Sequence, residues 1–434
     1  SLLDPTDLID PACGVSGNTP VLRRTKHLYI DLPKALPLRE QWLDTASVEG
    51  FWARNAIQTT RSWIRDGLKE RAITRDLKWG IPVPKEGYED KVFYVWFDAP
   101  IGYVSITAAF TDAWKSLWHN PEEVELFQFI GKDNIPFHTV IFPTTLLATG
   151  ENWTMLHHMS SSEYLNYEGG KFSKSKGIGV FGNDVQQTGI PADMWRFYLY
   201  YNRPEKSDVL FTWKDFQEKV NGELIGNLSN LVNRTLTFIH RFYDGKIPEG
   251  TIDGTLAKQI IAKEAEIEDL LEHAELREAL RRIFSLSSLG NKAFQDGEPW
   301  KMRKEQPEQA ATLLRTLVYL IRDLGILIHP YMPKTSERLL GYLNCTDDRW
   351  NQLGSFSGIS TINTPDYLFT KLEDALIETL RLRYAGSQES RNEEKQQMDE
   401  QQNQEPSQAD IFAAKVTLRV SNIIDIQRHP NGDK

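Results

Sequence analysis

Cysteine is almost missing from this chain: Cys13 and Cys345 are the only two in 434 residues. They are far apart and make no C-x-x-C spacing, so neither a disulfide framework nor a zinc site is expected within the segment. A reducing compartment, the cytoplasm, is the expected location. No apolar run approaches the roughly 20 residues that span a bilayer, so no membrane role is expected. Ser1 is followed by no apolar signal segment. Positive charge is in deficit too. With 50 Lys and Arg against 60 Asp and Glu the net charge is -10, which argues against coating nucleic acid by bulk charge but leaves room for local basic patches. No repeat of fixed period occurs. What is present, 40% apolar and 25% charged residues, is ordinary soluble composition, long enough for several cores.

The densest chemistry lies in residues 160–184. Lys171-Phe172-Ser173-Lys174-Ser175 is flanked by Gly169, Gly170, Gly177 and Gly179. Glycines on both sides let the backbone bend toward a ligand. Three ammonium groups (Lys171, Lys174, Lys176) and two hydroxyls make the loop suited to a polyphosphate. A solvated surface loop is the alternative reading.

Upstream, turn signals fill residues 1–50, and residues 27–33 read as a short strand, the end of an inserted segment rejoining its parent. Phe51, Trp52, Ile57, Trp63, Ile64 and Leu68 fit a helix. The aromatic run 91–97 reads as a buried strand of a parallel sheet, with 98–103 at its carboxyl end, where open α/β sheets bind ligands. A second strand, 126–131, carries Lys132, Asp133 and Asn134 at its end, and a helix runs from Pro136 through Leu147. This is half of a doubly wound α/β fold. A helix covers 194–201. From Trp213 onward apolar residues recur at three- and four-residue steps, with similar runs over 255–296, 307–329 and 366–384, an all-α bundle domain. Residues 386–410, rich in Gln, Glu and Ser, read as a disordered linker, and strand character resumes over 411–420.

Lys-Phe-Ser-Lys-Ser is similar to the Lys-Met-Ser-Lys-Ser signature of class I aminoacyl-tRNA synthetases, with apolar Phe172 in the Met place as an anchor. Taken with Phe-Tyr-Val-Trp-Phe-Asp-Ala-Pro-Ile-Gly-Tyr at 93–103 and Gly-Lys-Asp-Asn-Ile-Pro-Phe-His at 131–138, residues 1–385 resemble the methionyl-tRNA synthetases, closest to their eukaryotic-like branch. The resemblance implies the second half of a Rossmann-type nucleotide-binding domain followed by the helical bundle. It implies formation of methionyl-adenylate from methionine and ATP with Mg, then transfer to the 3′ end of tRNA(Met) without a covalent enzyme intermediate. Lys174 is expected to meet transition-state charge, with Lys171 and Ser173 shaping the loop. Arg75, Ser175, Gly131 and Asp133 complete the ATP set, although Arg75 and Asp76 would also make a surface pair. Trp96, Ala99, Pro100, Tyr103 and His138 match the methionine pocket, whose aromatic faces favour a thioether. Asp133 could pair with the substrate ammonium or a ribose hydroxyl, and Asn134 stands where other branches carry an apolar residue. Asn230, Arg234 and Trp300, the last in a break between helices, match the anticodon readers. A solvated polar pair and a core Trp are the alternative.

The domains expected are 1–50, the end of the insertion; 51–160, the Rossmann half; 161–222, the signature loop and stem-contact region; 223–385, the anticodon-binding bundle; 386–410, the linker; and 411–434, the start of an oligonucleotide-binding (OB) fold. The family's His-x-Gly-His is made by none of the nine histidines, and its zinc knuckle is missing. The chain therefore reads as a fragment that alone forms no adenylate. The carboxyl-terminal extension is where a dimer or multi-synthetase assembly would form. Competing readings are a ligase for leucine or cysteine, and a non-catalytic RNA-binding module.

Overall fold

The computed structural model describes residues 19, 21, 24–174, 177–346 and 349–385. The linker at 386–410, the strand from Ile411, Ser175 and Lys176 lie outside the described residues. The chain divides into two compact units. The first comprises 1–165, 201–209 and 265–281, and the second the rest.

In the first unit the order is β1 (Tyr29–Ile30), α1 (Leu36–Glu49), α2 (Arg54–Arg65), β2 (Arg71–Ala72), β3 (Thr74–Arg75), β4 (Val92–Phe93), α3 (Val95–Asp98), α4 (Ile101–Phe110), α5 (Trp114–Trp118), β5 (Leu126–Gly131), α6 (Phe142–Ala148) and β6 (Leu156–Ser162). β5 and β6 pair in parallel, with Phe127 opposite His158 and Gly131 opposite Ser162. The helical crossover between them makes a strand–helix–strand unit. Leu43, Trp52, Ala56, Ile135, Leu156 and Met159 form one core under α1, α2 and β6, and Val104, Trp118, Phe142 and Leu146 form another. Gly50 is required where it stands, because a Cβ there would lie 1.7 Å from the His157 carbonyl oxygen.

The run at 91–97 is not the buried parallel strand the sequence suggests. Only Val92 and Phe93 are strand, paired antiparallel with Arg75 and Thr74. At Tyr94 the chain turns helical, and the N–H groups of Phe97 and Asp98 bond the Tyr94 carbonyl at 2.7 and 3.2 Å. A short apolar run has no periodicity to separate strand from helix.

The second unit contains β7 (Leu165–Tyr167) paired with β8 (Val209–Phe211), α7 (Ala192–Tyr201), α8 (Trp213–Lys219), a π-type stretch Val220–Ser229, α9 (Asn230–Tyr243), α10 (Gly254–Glu272), α11 (Leu276–Gly297), α12 (Pro299–Glu305), α13 (Pro307–Ile328), α14 (Pro333–Tyr342) and α15 (Asp374–Arg383). Leu165, Tyr201, Val209 and the facing ends of α10 and α11 belong to the first unit. Proline opens α12, α13 and α14, where its missing N–H costs nothing. The expected helix over 366–384 begins only at Asp374. Leu368, Phe369 and Leu372 are buried without helix, because side chains replace the helical bonds. The Leu372 N–H donates to Asn221 Oδ1 at 3.0 Å, and its carbonyl accepts from Gln217 and Asn221 at 2.9 Å each.

Candidate functional site

At the carboxyl end of β5 the chain turns tightly through 132–134 and enters the helix carrying His138. Trp96, on α3, stacks on Phe137 with ring centroids 4.6 Å apart and planes 19° apart, yet is 38% exposed. Beside it the Tyr103 hydroxyl lies 2.8 Å from His138 Nε2, and His138 Nδ1 lies 2.8 Å from the Asn134 carbonyl. A carbonyl only accepts, so Nδ1 carries the hydrogen and Nε2 accepts from Tyr103. Burial pushes the imidazole below its usual range, against the opposing pull of the Asn134 bond, so it stays neutral. Pro100 is buried at the start of α4 and Ala99 is exposed before it. The result is an uncharged aromatic wall, held by hydrogen bonds and suited to an apolar, polarizable side chain.

Asp133 is engaged: both carboxylate oxygens accept from the Tyr164 hydroxyl at 2.6 and 2.7 Å, which raises the phenol's pKa. Lys132 Nζ sits 4.0 Å from the Tyr164 ring centroid and bonds Glu163 at 2.6 Å and Asp208 at 2.9 Å. These pairings hold its ammonium charged well above the usual lysine range. Glu163, Tyr164 and Asp208 escaped the sequence reading. The signal was available in part, since the parallel register brings the residues after β6 beside those after β5. Gly131 is the exposed last residue of β5.

Arg75 donates to the carbonyls of Ala72 and Thr74 at 3.0 and 2.8 Å, and its guanidinium carbon lies 3.7 Å from the Tyr94 ring centroid. It forms no surface pair with Asp76. That carboxylate bonds Lys91 and lies 3.7 Å from His27.

The lysine loop is part of the second unit. Ser173 and Ile178 exchange backbone hydrogen bonds at 3.0 Å, as do Tyr167 and Gly170 at 2.8 and 2.9 Å. Phe172 packs against Tyr167 and Phe181, with centroids 5.0 and 6.1 Å away. Its ring fills the place of a side chain at Gly179, where a Cβ would fall 2.2 Å from Phe172 Cδ1. The anchor expected of an apolar residue is thus present, and Lys171 and Lys174 are exposed above it.

In the same unit the end of the π-type stretch, α9 and α11 carry a polar ladder. Asn227 bonds Ser288 at 2.9 Å, Asn230 bonds Asn291 at 3.0 Å, and Arg234 bonds Gln295 at 3.1 Å. The Arg234 guanidinium carbon lies 4.1 Å from the Phe294 ring centroid, and Phe294 lies 6.2 Å from Trp300. The fold therefore gathers Asn230, Arg234 and Trp300 in one neighbourhood. Trp300 stands in the first turn of α12 rather than in a break, and the break is at Glu298, with φ of 37°. Asn291 and Gln295 were not singled out from sequence, because a ladder between helices has no local spacing.

Residues 1–236 match the profile for tRNA synthetases class I (M), and residues 246–389 match that for the anticodon binding domain of methionyl tRNA ligase. This chain belongs to the class I tRNA synthetases (M). It combines that family's catalytic domain with an anticodon-binding domain. It is 51% identical over its whole length to a methionine–tRNA ligase of Treponema denticola, and 53% identical over 99% of its length to one of Borrelia garinii. It spans 61% and 58% of those two proteins. In fold it is similar to the Mycobacterium tuberculosis methionyl-tRNA synthetase in complex with methionyl-adenylate (TM-score 0.69, 23% identity, 82% of this chain and 70% of that one). The apo form of that enzyme gives a TM-score of 0.66 at 22% identity, over 80% and 68% of the two chains.

Proposed function

We propose that this chain is the larger part of a methionine–tRNA ligase, which joins methionine to ATP as methionyl-adenylate and passes the acyl group to tRNA(Met). The observation that carries the reading is the neutral aromatic wall of Trp96, Tyr103 and His138 beside Asp133, at the end of a parallel strand in a chain of this family. The wall, with Ala99 and Pro100, takes the thioether side chain, and Asn134 sets its depth. Asp133, released from Tyr164, takes the substrate ammonium or a ribose hydroxyl. Gly131, with no side chain, leaves the backbone open to the nucleotide.

In the chemical step the methionine carboxylate attacks the α-phosphorus of ATP and pyrophosphate leaves. Lys174 meets the charge on the phosphates, supported by Lys171, Ser173 and Ser175, with Arg75 at the nucleotide. Mg²⁺, bound with ATP, would add further positive charge at the phosphates beside these residues. Asn230, Arg234 and Trp300 read the anticodon, with the indole offered for stacking on a base.

The parallel β5–β6 pair with its helical crossover supports the second half of a doubly wound, Rossmann-type domain. The borders at 50, 160, 222 and 385 are part of the same reading. Kinship with the eukaryotic-like branch rests on motif wording alone, and the relatives named above are bacterial. Two cysteines in 434 residues support a reducing, cytoplasmic setting.

The test is amino-acid binding followed by tryptophan fluorescence. Methionine should change the emission, the change should vanish in Trp96→Ala, and leucine and cysteine should bind at least about tenfold more weakly. Equal response to leucine would overturn the methionine assignment.

A further inference from the structure

Tyr164 belongs to none of the sequence motifs, yet the first unit fixes its backbone from both sides. Its N–H donates to Asp208 Oδ1 at 3.0 Å, and its carbonyl accepts from the Val209 N–H at 2.9 Å. The preceding Glu163 N–H donates to the Pro204 carbonyl at 2.7 Å. The side chain is 37% exposed, so the phenol can turn about χ1 while that backbone stays in place. The Lys132 ammonium, 4.0 Å from the ring centroid, favours the position the ring now holds.

In that position the phenol covers Asp133. Its hydroxyl has one hydrogen, shared between two carboxylate oxygens at 2.6 and 2.7 Å. An ionised carboxylate accepts about four donors, so the clasp occupies the two-oxygen face while leaving it short of donors. No cation makes up the difference. Lys132, next in the chain, commits its ammonium to Glu163 and Asp208. Among the described residues no Lys, Arg or His lies within ion-pair distance of Asp133. Asp133 is exposed, and its neighbour Asn134 holds His138 in the aromatic wall. A carboxylate facing solvent beside that wall, without a cation and closed by one neutral hydroxyl, has the form of a binding group with an internal stand-in for its ligand.

We infer that Tyr164 is a latch on Asp133. In the ligand-free protein its hydroxyl occupies the carboxylate face that the substrate's donor takes, and binding swings the phenol away. The inference rests on the assignment of Asp133 to substrate in the proposed function, and it adds the group that competes for that contact. The donor is the ammonium of methionine or a ribose hydroxyl of ATP. Displacing the phenol gives up one hydrogen bond to a charged group, which lowers the substrate's affinity roughly tenfold.

Isothermal titration of the 434-residue chain with methionine and, separately, with ATP tests the latch. Tyr164→Phe keeps the ring over Lys132 and loses the hydroxyl, so it should bind at least one of the two roughly tenfold more tightly than the parent. A gain for methionine that is absent for its analogue without the amino group assigns Asp133 to the ammonium, and a gain for ATP assigns it to the ribose. Damage to the fold does not tighten binding, so the expected result cannot come from misfolding. In the ligand-free chain the urea midpoints of Tyr164→Phe, Asp133→Ala and the double variant should be non-additive. Additive midpoints, or affinities for both ligands unchanged or weaker in Tyr164→Phe, overturn the latch and leave the methionine reading in place. Binding of neither ligand by either protein overturns that reading, and the latch with it.

Discussion

His138 is the residue on which the pocket wall turns. Its Nε2 is buried and has Tyr103 as its donor, so Tyr103→Phe should cost about 1–3 kcal/mol of stability by leaving that nitrogen unpaired. Methionine affinity should fall with it. Denaturant midpoints and the fluorescence titration check the two effects. The folded pKa of His138 lies below its unfolded value of about 6.5, as does that of His158. In that window the unfolded chain binds protons that the folded one refuses. Stability is therefore complete above about pH 6.5 and falls as pH drops toward the folded values. A urea midpoint lower at pH 5.5 than at pH 7.5 is the expected outcome, and His138→Gln should reduce the difference. Two further substitutions separate the proposed sites, both made in a complete enzyme. Lys174→Ala should slow ATP–pyrophosphate exchange by roughly 10²–10³ while tRNA affinity holds. Trp300→Ala should weaken tRNA binding by about 1–3 kcal/mol while exchange holds; equal exchange losses in both would sink the two-site assignment.

At the scale of elements, the lysine loop depends on one glycine. Gly179 has φ of +110° and is filled by the Phe172 ring, so Gly179→Ala should expel Phe172 and destabilise the unit by about 1–3 kcal/mol, read from thermal melts. α10 and α13 hold a second sensitive point. Arg322 is buried, bonding Asp323 at 2.6 Å, the Gln352 carbonyl at 2.7 Å and the Ser355 carbonyl, and so tethers the 349–358 segment. Burial pushes Asp323 up to about 6 against the pull of Arg322, and burial with the Asp323 charge pushes Glu264 up to about 9. Glu264 Oε1 and Asp323 Oδ2 are buried without a hydrogen-bond partner, and burial beside the Asp323 charge makes Glu264 keep a proton that the unfolded chain gives up near pH 4.5. Its contribution is complete below that pH and is lost as pH rises toward about 9. Glu264→Gln should match the parent at pH 5 and exceed it by a margin that grows steadily toward pH 8.5, read from urea midpoints.

Much of this was legible beforehand. β5 follows from its short, mostly apolar run ended by Gly131, and α13 from apolar residues recurring at three- and four-residue steps. The Lys171, Trp96 and His138 motifs follow from residue type and order. The Tyr164–Asp133 clasp and the Asn291 and Gln295 rungs were not legible, because each joins residues by register between strands or helices rather than along the chain. The run at 91–97 was misread because its aromatic residues satisfy a strand and a helical turn equally well.

For the whole molecule, the feature that stands out is an apolar surface on the first unit. Among the described residues Trp79 is 89% exposed, Ile81 58%, Val95 54% and Ile101 48%, and they line a cavity of about 1170 Å³. A patch of this kind is a surface made to be covered. Arg75 and Ala99 line the same cavity, and we propose, from the missing His-x-Gly-His, that the chain alone forms no adenylate. The isolated chain should accordingly give no measurable ATP–pyrophosphate exchange, and robust exchange would overturn that reading.

The sequence by itself determined the family, the order of the motifs and the helical character of the second half, because these depend on residue type and on short-range periodicity. Only the tertiary structure decided that Asp133 is held by Tyr164 and that His138 is a neutral acceptor. Hydrogen bonding and desolvation depend on which distant groups are brought within 3 Å or so, and no spacing along a chain encodes that distance.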